Sequence, residues 1–140
     1  VTLMAACQAP PTPQSAEESV AVEAVYNPAE RGQELFAEYC QSCHGAEGRG
    51  NGPLAELLKI PPPDLTLIQE RASNVFPVDM LATYIDGRSG LESHGTRNMP
   101  VWGNIWTDTE GGADADQAVA EQISELIEFI RSIQEDIPDF

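Results

Sequence analysis

The sequence predicts an all-α domain, because three segments carry helix patterns and none carries the strand–helix alternation of an α/β chain. The first begins at Asn27-Pro28-Ala29-Glu30, which orders an N-cap side chain, a first-turn proline and a third-position glutamate as a capping box does. A helix from Pro28 to Cys43 is expected, with Leu35, Phe36, Tyr39, Cys40 and Cys43 on adjoining faces. Glycines at 45, 48, 50 and 52 then break regularity. No Lys-Ser or Lys-Thr follows the last of them, so a bending loop is expected rather than a phosphate cradle. The stretch from Pro77 to Ile85 reads as a second helix, packing Met80 or its neighbours into the core. Residues Thr107 to Asp116 read as an exposed acidic loop. Beyond it, Val119, Ile123, Leu126, Ile127, Ile130 and Ile133 recur at three- and four-residue intervals, the period of an amphipathic helix.

The 140 residues hold few aromatics and many Gly and Pro, so side chains alone would build only a small core. The net charge of −16 is uneven: −3 over residues 1–26, −2 over 27–43, −2 over 44–106 and −9 over 107–140. Such a balance argues against nucleic acid, whose phosphates would repel it, and favours partners with basic or mixed surfaces; solubility alone is the plain alternative. At the N-terminus, VTLMAAC resembles the end of a bacterial lipobox, which would make Cys7 an acylated anchor; an ordinary signal peptide is the alternative. Residues 8–26, rich in Pro, Ala, Ser and Glu, read as a tether, and roughly twenty such residues reach about 25 Å. The expected organisation is therefore a signal remnant over 1–7, a tether over 8–26, a domain over 27–136 and a tail over 137–140.

Within the domain, Cys40 to His44 read CQSCH. This C-x-x-C-H spacing sets two thiols on one side of a helical turn, where each can form a thioether to a porphyrin vinyl group, and puts an imidazole within reach of the iron. A zinc site would need another ligand pair, and Cys7 and His94 are not spaced as one. A thioredoxin-like motif would need a strand leading into it, and the preceding residues look helical. A buried porphyrin would also supply the apolar centre that the composition lacks.

These features together resemble class I cytochrome c, the small all-helical monohaem electron carriers, over Asn27 to Gln134. The residues that carry the resemblance are Gly32 and Phe36, CQSCH, Pro63-Asp64-Leu65 after the glycine-rich loop, Asn98-Met99-Pro100, and Phe129 on the last helix. The resemblance implies one haem c held by Cys40 and Cys43, with His44 as one iron ligand and the Met99 thioether as the other; Met80 and His94 are the alternatives. It implies that a prolyl carbonyl accepts a hydrogen bond from the histidine ring, by position Pro63, with the triple proline at 61–63 leaving the choice open by one or two residues and Pro53 as a weaker rival. It also implies that the terminal helices cross where Gly32 or Phe36 meets Phe129 or Ile130. Arg88 and Arg97 are candidates to neutralise propionates, Trp102 is the favoured indole for a propionate or the pocket wall, and Leu65, Leu67 and Ile68 are candidates for apolar wall. His94 fits a loop histidine near a propionate.

The function expected from this resemblance is outer-sphere transfer of single electrons, with no substrate at iron and no enzymatic reaction. The expected setting is the periplasmic side of a bacterial cytoplasmic membrane, with redox proteins or respiratory or photosynthetic complexes as partners. A fixed haem subunit of a larger oxidoreductase, and a haem enzyme or sensor with a labile sixth ligand, are the alternatives.

Overall fold

The computed structural model describes residues 25–89 and 99–135. Within them six α-helices follow one another: α1 (Pro28–Tyr39), α2 (Gln41–His44), α3 (Ile68–Arg71), α4 (Val78–Asp86), α5 (Trp102–Glu110) and α6 (Ala115–Ser132). Two 3₁₀ turns, Ala55–Leu57 and Leu65–Leu67, lie between α2 and α3. No strand occurs among the described residues, and none of their helices is long and apolar enough to cross a membrane.

Helix α1 starts as its sequence dictates: Asn27 is extended, its side chain accepts from the Ala29 N–H at 3.1 Å, and Pro28 occupies the first turn. It does not run unbroken to Cys43. Cys40 leaves helical geometry at φ −115°, and a separate short turn, α2, follows. The Cys43 and His44 N–H groups both donate to the Cys40 carbonyl, at 3.2 and 2.9 Å, so the motif sits on its own turn.

The core forms where α1 meets α6. Leu35 and Phe36 pack with Val119, Ile123, Leu126, Ile127, Phe129 and Ile130, the apolar stripe expected of the last helix. At Gly32 a Cβ would stand 2.5 Å from the Glu125 carbonyl carbon and 2.9 Å from Phe129 Cβ, so only glycine permits this approach. Next to it the Phe36 and Phe129 rings lie 5.1 Å apart.

The helix expected over Pro77 to Ile85 packs inward through the neighbours of Met80: Ile85 is buried, Leu81 and Ala82 are partly buried against the core, and Met80 itself is 58% exposed. Two expectations are corrected. The segment 107–116 is largely helical: α5 runs through Glu110, and α6 begins at Ala115. Thr107 and Thr109 turn their hydroxyls back onto the carbonyls four residues earlier, at 2.6 and 2.8 Å, so these polar side chains are satisfied within the helix, which ends at Gly111, φ +66°. Tyr26, assigned to the tether, donates its hydroxyl to Glu125 Oε1 at 2.6 Å and so lies on α6.

Candidate functional site

The CQSCH turn is held by the loop that follows it. An α-helix leaves its last carbonyls without partners, and here the Gly45 amide donates to Gln41 O (2.9 Å), Leu54 to Ser42 O (2.9 Å), Gly52 to Cys43 O (3.1 Å) and Gly50 to His44 O (2.7 Å). That closeness explains the glycines. A Cβ on Gly52 would stand 2.5–2.6 Å from the Ser42 and Gln41 carbonyl oxygens, and one on Gly50, at φ +76°, would run into the Pro62 carbonyl. The loop is thus clamped between the motif and the triple proline, which brings Pro63 beside His44.

Cys40 and Cys43 carry free thiols, Cys40 buried and Cys43 partly so. Burial, and then the neighbouring Cys43, push the Cys40 thiol up to about 12. Burial lowers the His44 pKa, and the Pro63 carbonyl, the lesser effect, raises it. Nδ1 of His44 is nonetheless buried without a hydrogen bond, so the Pro63 carbonyl adjoins the ring but is not aligned to bond it. Phe36 flanks the imidazole at 6.4 Å between ring centroids, and Leu65, whose N–H donates to Gly48 O at 2.7 Å, packs against the core.

A second cluster gathers aromatics. Trp102 stacks on Trp106 at 5.4 Å, and Tyr39 meets each of them edge-on at 5.5 Å. Met99, just before α5, is partly buried against the core, as Trp102 is. Trp106, not Trp102, is the fully buried indole at 2% exposure, and its Nε1 has no partner among the described residues. The sequence reading favoured Trp102 for its nearness to Met99; two indoles four residues apart share a helix face, and only burial distinguishes them.

Arg88 is engaged elsewhere. Its guanidinium donates to Asp86 (2.8 Å, twice), Asp116 (2.5 Å) and Thr107 (3.2 Å), and these carboxylates raise its pKa, Asp86 most. Those donors are therefore spent on ion pairs rather than held ready for a propionate. Leu67 is partly buried and Ile68 joins the core. Cys7, His94 and Arg97 lie outside the described residues.

Two thiols three residues apart, the adjacent half-buried His44 imidazole and the buried Trp106 N–H, which has no acceptor among the described residues, form a set that suits a porphyrin with its carboxylates. Among the described residues no three His, Cys, Asp or Glu side chains cluster as a protein-only metal site would need. Comparison with family models agrees: the cytochrome c model matches residues 29–134, and the chain belongs to that family. It is a c-type cytochrome, a haem protein that carries electrons, with haem c attached through Cys40 and Cys43. Comparisons with curated proteins and with solved structures returned no match.

Proposed function

We propose that this cytochrome is a mobile single-electron carrier whose haem iron would be held by His44 and by Met99. The observation that carries this reading is a half-buried His44 on the CQSCH turn, its ring 6.4 Å from that of Phe36 in the core, together with a Met99 packed against that core. When bound, the haem supplies an iron that alternates between ferric and ferrous. The chain's own residues do the rest. The Pro63 carbonyl lies beside the His44 ring, and a small realignment would let it accept from Nδ1–H, which would fix the ring and strengthen it as a donor. Tyr39, Trp102 and Trp106 keep water from the interior, and the Trp106 N–H is available to a buried carboxylate.

The docking face is the edge around Cys43 and Ala46. Supporting this, the loop over 53–63 is tied to α2 through Leu54 and exposes Leu57 (78%) and Ile60 (62%). Its charges cancel, Glu56 against Lys59, whereas residues 107–140 sum to −9. A small neutral apolar patch on an acidic protein suits short-lived encounters with a redox partner, the acidic end orienting the approach. The carrier operates outside the cytoplasm of a bacterium, held to the membrane by an acyl group on Cys7.

Fractionation of native membranes tests this. A carrier leaves its partners at raised ionic strength and remains with the lipid until detergent is added. Persistent co-purification with other subunits in high salt would instead establish a fixed haem subunit. Intact mass of the detergent-extracted protein would show an acylated Cys7 as the first residue, and an unmodified cysteine would remove the anchor.

A further inference from the structure

The C-terminal end of α6 is hydrogen-bonded to the segment that carries Pro63. The Gln134 carboxamide donates to Leu65 O at 2.8 Å and to Ile130 O at 2.7 Å, and accepts from the Gln69 N–H at 2.9 Å. One side chain therefore joins the helix to both ends of the Leu65–Gln69 stretch. The next residue repeats the connection, since the Glu135 N–H donates to Thr66 O at 2.9 Å and its carboxylate takes Arg49 at 2.6 Å. Upstream, Asp64 is fixed by Thr66, whose N–H and hydroxyl both donate to Oδ1, and by Arg71, which donates to the Asp64 carbonyl. Pro63 is thus the last residue before a backbone run held at successive positions, and its carbonyl is the one beside His44.

We infer that Gln134 is a positioning residue for the His44 imidazole: by fixing Leu65 it sets how closely the Pro63 carbonyl meets Nδ1, and through that contact it tunes the haem's redox equilibrium. The inference rests on His44 being an iron ligand. A firmer Nδ1–H···O bond makes the imidazole a stronger donor and favours ferric iron. Loosening Pro63 favours ferrous.

The test uses the haem-loaded protein with Gln134→Leu, which removes all three bonds, and Gln134→Glu, which keeps an acceptor for Gln69 but loses both donors. Val119→Ala, buried at the far end of α6, controls for lost stability. At an ambient potential near the wild-type midpoint, both Gln134 variants should raise the ferrous-to-ferric ratio about threefold, or about 28 mV at 59 mV per tenfold for one electron. Their His44 Nδ1 proton should exchange faster with solvent by NMR, while Val119→Ala leaves both readouts unchanged. A ratio that stays at the wild-type value in both Gln134 variants, or that moves equally in Val119→Ala, overturns the assignment. A His44→Ala variant that retains the wild-type spectrum would instead remove the ligand reading beneath it.

Discussion

Substituting Gly32 by alanine probes the contact on which the fold depends. The added Cβ would stand 2.5 Å from the Glu125 carbonyl carbon and 2.9 Å from Phe129 Cβ, whereas carbon atoms pack best at about 3.5 Å or more. The helices must therefore part by about 1 Å, a gap that forfeits a quarter to a half of each dispersion well across the contact. Leu35 and Phe36 lose most, since they face Leu126, Phe129 and Ile130. Overpacking costs about 1–3 kcal/mol, and the upper end applies because the obstacle is helical backbone, which cannot rotate aside. Alanine returns about 1 kcal/mol of helix propensity, so the net loss is about 2 kcal/mol. Urea unfolding of the holoprotein reads it. With a slope of about 2 kcal/mol per molar, the midpoint should fall by about 1 M at unchanged slope. A midpoint that holds or rises would show that α1 and α6 do not meet at Gly32 as described.

Trp106→Phe should destabilise the holoprotein by about 1–3 kcal/mol if the buried Nε1 finds its acceptor on the haem; a variant as stable as wild type in urea would show that the indole has none. Asp64 is held below the ordinary carboxylate value, first by the Thr66 hydroxyl. Its stabilisation is complete above the ordinary value near pH 4, about 3.9 for an unperturbed aspartate, and is lost as pH falls through the lower folded-state value. Asp64→Asn should accordingly flatten the acid limb of the stability curve, and an unaltered limb would contradict the Thr66 contact. Gly50→Ala, which combines a positive φ with a collision at Pro62, should cost about 2–4 kcal/mol, measured by urea midpoint; a cost under about 0.5 kcal/mol would mean that the loop is not clamped against the prolines. Leu57→Asp should slow electron transfer to a native partner several-fold while leaving the visible spectrum intact, and an unchanged rate would move the docking face elsewhere.

What the residues disclosed by themselves was what their local patterns encode. The capping residues at Asn27 and Pro28 and the apolar period from Val119 to Ile130 follow from spacing, the close approach at Gly32 was implied by the resemblance to class I cytochrome c, and each is present in the fold. The break at Cys40 was hidden because Tyr39, Cys40 and Gln41 carry no helix-breaking signal. Helix α5 was hidden because Thr, Asp and Gly read as loop, while the back-bonding that satisfies the two threonine hydroxyls inside a helix is visible only once it has formed. Arg88 was legible in part: Asp86, its strongest partner, stands two residues before it, whereas Asp116, 28 residues away, has no local signature. The face on which Met80 stands was equally ambiguous, since α4 is apolar on more than one side and burial selects Ile85. Gln134 gave no signal at all, because a lone glutamine near a helix end has no pattern until its three partners are in place.

The account depends most on the second iron ligand, and the near-infrared sulfur-to-iron band of the ferric protein tests it directly. The band should be present in wild type, persist in Met80→Ala and vanish in Met99→Ala, whose reduced form should then bind carbon monoxide rapidly. A wild-type protein without the band, or a Met99→Ala variant that keeps it, would contradict the account.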